Sequence, residues 1–190
     1  MLRSFILAST ILFAGAAHAD GHGHSHATLE IGAAPALSAV TVTGETVGFD
    51  DISGANGAVI VLSRSLEWCP YCKAQAIELE TIKADLEASG WSLNILTYDA
   101  PDTMAKFAKE SGLTYTTLSD TDSATIDAFG LRNTEMTPGS RFDGIPHPAI
   151  VYMAADGTVA AVQKEDGYET RPETAGIPAM AASLTQAAVR

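Results

Sequence analysis

The sequence predicts an α/β sandwich, a mixed central sheet flanked by helices, and three observations predict it. Residues 58–62, 91–98 and 149–153 read as strands; the first is continuously apolar, as a strand covered on both faces is, and the third is apolar too. Between the first two, Ala76, Ile77, Leu79, Ile82 and Leu86 recur at three- and four-residue spacing, the period of a helix with one buried face. The third run is followed by the turn Asp156-Gly157 and a further strand at 158–163. That is a hairpin, and its strands must be antiparallel. Strands alternating with helices and then a closing hairpin make the sheet mixed.

The remaining elements follow in order. Residues 40–47 alternate and are β-branched around Gly44, a hairpin or edge strand. Asp50-Asp51-Ile52 reads as a helical turn, and residues 54–57 as a Gly-rich loop. Gly90 stops the helix that begins after residue 69. Residues 102–111 form a helix with Asp102 as its N-cap and Gly112 as its stop. A short strand at 113–118 and a short helix at 122–129, ended by Gly130, precede an irregular stretch at 132–144 expected to pass near the functional site. The chain closes with an Ala-rich helix over about 179–189.

Residues 1–19 stand apart from this fold. Arg3, an apolar core from Phe5 to Ala17 and an A-x-A site at Ala17-His18-Ala19 read as a cleavable secretory signal of bacterial style. The expected destination is the periplasm, with no membrane anchor after cleavage. Residues 20–34 read as a His- and Gly-rich flexible leader, and residues 35–190 as one domain. Cleavage after Ala19 would expose Asp20-Gly21-His22, whose amine, amides and imidazole can wrap Cu(II) or Ni(II), with His24 and His26 beside them. The alternative is a solvated leader with no metal. Without the signal, 10 basic residues (11 less Arg3) face 23 acidic ones. A net charge of −13 by that count argues against nucleic acid and anionic membrane surfaces as partners.

The chemistry sits in Glu67-Trp68-Cys69-Pro70-Tyr71-Cys72-Lys73, which holds both cysteines of the chain. A Cys-x-x-Cys where a strand gives way to a helix places the first sulfur at the helix N-terminus, where the dipole and open N–H groups favour a thiolate. The second lies one turn on, in reach of a disulfide. A structural staple is the bland alternative, but closing so short a loop stabilises by only about 2 kcal/mol. Half a zinc site is the other, and no second cysteine pair completes it. The pair reads as redox-active: Cys69 the exposed nucleophile, Cys72 the buried resolving thiol. Pro70 gives up an N–H where the helix least needs it. No cofactor is required for such chemistry.

This stretch resembles the thioredoxin-like superfamily. Trp68-Cys69-x-x-Cys72-Lys73 is similar to the thioredoxin active site, and Cys-Pro-Tyr-Cys to that of glutaredoxin. The longer frame resembles the redoxin, or peroxiredoxin-like (AhpC/TSA-like), branch: the hairpin at 42–47, the apolar strand, Arg64, the cysteine run, Gln75, then Pro148-Ala149-Ile150-Val151 and Asp156-Gly157. The likeness spans roughly residues 40–162 and implies a thioredoxin-like sandwich. It also implies a cis-proline loop against the disulfide, with Pro146 and Pro148 as candidates and Pro148 favoured by its distance from Asp156-Gly157. His147 would then neighbour the sulfurs, either stabilising a thiolate or standing by. Arg64 either lowers a thiolate pKa or caps the sheet edge, and Trp68 and Tyr71 shield the sulfurs.

Two departures bear on activity. Peroxiredoxins place a Thr or Ser three residues before the attacking cysteine and a Pro four residues earlier. Before Cys69 those positions hold Leu66 and Leu62; before Cys72 they hold Cys69 and Ser65. Thioredoxin keeps an Asp six residues before its first cysteine, where this chain has Ser63, so Glu67 or water must take the proton of Cys72. The expected activity is therefore a periplasmic thiol–disulfide oxidoreductase acting on disulfide- or thiol-containing partners, with a potential of about −180 to −270 mV. A peroxiredoxin-like thiol peroxidase comes second and a copper-handling protein third.

Overall fold

The computed structural model describes residues 29–188. Residues 1–19, expected to be a signal sequence, and the His22, His24 and His26 tract lie outside the described residues. In chain order the elements are β1 (Ala39–Thr41), β2 (Thr46–Val47), α1 (Phe49–Ile52), β3 (Gly57–Leu62), α2 (Pro70–Leu79), a 3-10 turn (Glu80–Ile82), α3 (Lys83–Ala88), β4 (Trp91–Thr97), α4 (Pro101–Ser111), β5 (Thr116–Ser119), α5 (Ala124–Ala128), β6 (Ala149–Ala154), β7 (Val159–Gln163), a second 3-10 turn (Thr174–Gly176) and α6 (Ile177–Ala188). The sheet runs β2-β1-β5-β4-β3-β6-β7. Strands β3, β4 and β5 are parallel, while β6, β7 and the β1–β2 hairpin join antiparallel. This is the mixed sheet that the sequence predicts.

The period-2 geometry of the strands divides the core in two. Val59 and Val61 of β3, with Ile150 and Tyr152 of β6, face a layer built on Leu79, Leu86, Met104, Ile177 and Ala181. Ala58, Ile60, Leu62, Val151 and Met153 face the opposite layer, with Ile52 of α1 and Ile126 of α5. Each fully buried Leu or Ile contributes about 1.5–3 kcal/mol, so a polar residue among them needs partners. Asn94 of β4 donates to Val59 O at 3.4 Å and to Ser92 Oγ at 3.0 Å. Gly57 opens β3 at φ +137°, and a Cβ there would overlap the Met153 carbonyl oxygen, so glycine alone fits.

Local geometry corrects several expectations. The helix after the cysteines tightens into a 3-10 turn at residues 80–82 before continuing as α3. Its buried face is Cys72, Gln75, Ala76 and Leu79. Ile77 lies about 100° beyond Ala76 and is half exposed, not core. Ala100, not Asp102, is the N-cap of α4; Pro101 takes the first helical position, and Asp102 sits in the first turn, facing the dipole. Asp120 holds the start of α5, accepting from Thr125 N at 3.2 Å and Ile126 N at 2.8 Å. Packing begins before Pro35: Gly32 N donates to Val159 O and Val159 N to Ala33 O, each at 2.8 Å. Among the described residues no helix is long and apolar enough to cross a membrane.

Candidate active site

Cys69 is the N-cap of α2 in extended conformation, with Pro70 at the first helical position as expected. Cys69 and Cys72 are joined in a disulfide with Cα atoms 5.3 Å apart, and the Cys72 N–H points at Cys69 Sγ at 3.4 Å. Cys69 is not the exposed thiol that the sequence suggested. It is 1% exposed and Cys72 0%, because both pack into the layer that holds Leu66, Ala76 and Ile150, with Trp68 against it.

The loop ahead of the cysteines is tied by a residue that the sequence reading missed. Asp99, just beyond β4, accepts from Ser65 Oγ at 2.7 Å, from the Leu66 N–H, and from Thr97 Oγ1 at 3.0 Å. Ser65 Oγ in turn accepts from Glu67 N and Trp68 N. Burial raises the Asp99 pKa above the usual carboxylate range, opposed by those three donors. Glu67, expected beside water as a proton acceptor, is exposed. Ser63 is buried, and its hydroxyl has no hydrogen-bond partner among the described residues.

Trp68 donates its indole N–H to Tyr98 Oη at 3.0 Å, and Tyr98 donates to Arg141 O at 2.6 Å. The indole also meets Phe142 edge-on at 4.9 Å, so the irregular stretch at 132–144 does reach the site. Arg64 meets two aromatic rings. Its guanidinium lies 5.0 Å from the Trp68 ring centre and 4.1 Å from that of Tyr168. Tyr71, exposed, meets Tyr168 edge-on at 6.0 Å.

Tyr168 belongs to residues 164–173, a strap between β7 and the second 3-10 turn. From it Arg171 reaches back to α2: Nε donates to Gln75 Oε1 at 3.2 Å, and Nη2 lies 3.5 Å from Cys72 Sγ. Nη1 donates to the Tyr168 and Thr170 carbonyls. Burial and the neighbouring Arg64 charge both lower the Arg171 pKa. The only sequence sign of this residue is an Arg-Pro step in a polar, irregular segment.

A cleft of about 310 Å³ is lined by Arg64, Asn133, Glu135, His147, Pro148, Gly167 and Tyr168. His147 and Pro148 thus share a wall with Arg64; neither cysteine lines this cleft. The cis-proline expectation is corrected: every described peptide bond is trans. Pro146 is buried and bridges antiparallel to Arg132, with Asn133 N donating to Ile145 O and His147 N to Leu131 O. That pairing is an isolated bridge outside the seven strands. Among the described residues there is no cluster of three or more potential metal ligands.

A disulfide spanning the first turn of a helix, at the end of a parallel strand in a thioredoxin-like sandwich, defines a thiol-dependent oxidoreductase. The chain belongs to the AhpC/TSA family, whose model matches residues 32–162. It is similar to peroxiredoxin Bcp of Escherichia coli (strain K12), at 29% identity over 129 residues, 68% of this chain and 81% of that one. Among solved structures it resembles peroxidoxin BcpB from Mycobacterium tuberculosis, with a TM-score of 0.67 and 17% identity over 84% of this chain and 97% of that one. It also resembles Enterococcus faecalis AhpC, with a TM-score of 0.70 and 13% identity over 85% and 95%. At those identities the structures speak for the fold alone.

Proposed function

We propose that the protein is an exported thiol peroxidase that works through Cys69 and Cys72. The observation that carries this is the disulfide closed across the first turn of α2, in a family whose curated relatives include peroxiredoxin Bcp. Cys69, at the helix N-terminus, attacks the peroxide oxygen as thiolate; the O–O bond breaks, the sulfur becomes a sulfenic acid and the leaving oxygen takes a proton. Cys72 then attacks that sulfur, the disulfide forms and water leaves. An external dithiol, itself oxidised, returns both thiols. The comparisons move the weight from disulfide exchange, the first expectation, to peroxide reduction.

Disulfide exchange stays as the second reading on a specific observation. Leu66, buried, stands where a peroxide-orienting hydroxyl would be, and the nearest serine, Ser65, already gives its proton to Asp99. Export to the periplasm, a redox partner there and Cu(II) or Ni(II) capture by a mature Asp20-Gly21-His22 terminus belong to the same proposal and rest on the sequence. The test measures hydrogen peroxide consumption and insulin reduction on one preparation, with Cys69→Ser and Cys72→Ser beside the parent. Peroxide turnover that Cys69→Ser abolishes and Cys72→Ser stops after one cycle is expected. Insulin reduction without peroxide turnover selects the second reading, and undiminished turnover in both variants refutes both.

A further inference from the structure

We propose that Arg171 is the counter-ion of Cys72, so that in the reduced protein the strap holds the second cysteine as a thiolate poised on Cys69. The proposal rests on the redox-pair reading and adds to it which thiol is held ionised and by what. The contact is direct, Nη2 to Sγ at 3.5 Å, and crosses 99 residues of sequence. The guanidinium is aimed by other acceptors, all neutral: Gln75 Oε1 and the Tyr168 and Thr170 carbonyls. No described carboxylate forms an ion pair with Arg171 or Arg64, although acidic residues outnumber basic ones 23 to 11 in the chain. A half-buried guanidinium without its anion is costly. Reducing the disulfide supplies one at the place it points to.

The other charged groups around Cys72 do not reverse the sign. Arg64 adds a second positive charge within range of Arg171. Lys73 follows Cys72 on α2, its ammonium 6.0 Å from the Phe107 ring centre. Among the acids, Glu67 on the loop and Glu169 and Glu173 on the strap are exposed, and Asp99 is engaged by three donors. Glu135 and His147 line the cleft with Arg64, and Tyr71 lies exposed beneath Tyr168. An opposite charge this close lowers a thiol pKa by about 1–3 units.

The step is balanced as follows. An external dithiol delivers two electrons; the Cys69–Cys72 bond breaks, and the reductant leaves as its disulfide. Cys72 gives its proton to water and remains as thiolate beside Arg171. Once peroxide has made Cys69 a sulfenic acid, the Cys72 electron pair attacks the Cys69 sulfur. The S–S bond forms, and hydroxide leaves and is protonated to water.

The experiment is a pH titration of thiolate absorbance in full-length Cys69→Ser protein, where Cys72 is the sole thiol. A midpoint well below the free-cysteine value of about 8.5 is expected. Arg171→Gln in that background should raise it by about one pH unit or more, with Arg171→Lys recovering part of the difference. Gln75→Leu, which unties the guanidinium without removing it, should raise it by less and gives the same readout independently. In Cys72→Ser protein, Arg171→Gln should move the Cys69 midpoint less. A Cys72 midpoint indifferent to both Arg171→Gln and Gln75→Leu overturns the proposal, as does a Cys69 midpoint that moves as far. No peroxide or disulfide substrate enters the measurement, so it stands or falls separately from the proposed activity.

Discussion

Arg132 and Arg171 carry the same guanidinium into opposite surroundings. Arg132 donates from Nε and Nη2 to the two carboxylate oxygens of Asp127 and from Nη1 to Asp143 at 3.1 Å. Those bonds hold it fully charged, its pKa raised chiefly by the Asp127 hydrogen bond, and they pin α5 to the stretch leading to β6. Arg171 meets two carbonyls, an amide oxygen and a sulfur. Burial, with Arg64 beside it, pushes its pKa the other way. A matched guanidinium is a fastener, and its charge is spent. An unmatched one keeps its field for whatever anion the chemistry makes beside it.

The largest test of that contrast concerns the one buried carboxylate near the cysteine loop, which is spent on hydroxyls and an amide and not on a guanidinium. Asp99→Ala should cost about 3 kcal/mol in urea unfolding, since Ser65, Thr97 and the Leu66 N–H lose their acceptor in a dry site. Loss below about 1 kcal/mol would mean that the loop is held by packing. The same group sets a pH dependence. Its native pKa is raised above the ordinary 3.8, so between those values the native state binds more protons than the unfolded chain. Its contribution is therefore full below 3.8 and fades as pH rises through the native value. The stability difference between the parent and Asp99→Asn should follow that course in a pH series of denaturant midpoints.

Next in size, Arg171→Gln should make the disulfide about 30 mV harder to reduce, the equivalent of one tenfold loss of thiolate stabilisation. Glutathione-buffer equilibration reads this, and the melting temperature should stay within about 2 °C. Arg132→Gln should do the reverse, leaving the potential unchanged and lowering stability by about 1 kcal/mol, less in 1 M salt. If both arginines moved both quantities equally, the distinction between fastener and field would collapse. The smallest effect is expected of Tyr98→Phe. It removes the hydroxyl between the Trp68 indole and Arg141 O and should cost about 0.5–1 kcal/mol, with a shift in tryptophan emission as its marker.

What could be read in advance follows from range in sequence. Strands β3 and β6 announce themselves because continuous apolar runs have few other uses, and the cysteine pair because both sulfurs sit within one helical turn. Ile77 was misplaced because i, i+3, i+4 counting tolerates a neighbour of the true face. The trans state of Pro146 and Pro148 was hidden because the cis expectation came from likeness, while the pairing of residues 145–147 with 131–133 leaves no pattern in either segment. Asp99 and Arg171 were missed for a related reason. A polar side chain in an irregular segment acquires meaning only from the partner it meets, 34 residues away for Ser65 and 99 for Cys72.

Near-zero exposure of both sulfurs, with Arg171 of residues 164–173 reaching Cys72 Sγ, makes molecular size a way to separate the two proposed activities. Hydrogen peroxide is scarcely larger than water and needs only a gap, whereas a folded protein offering its own disulfide needs a sulfur laid open. Shortening residues 164–173 without altering Cys69 or Cys72 should then raise the rate with bulky disulfides more than the rate with peroxide, if that segment is what stands in the way.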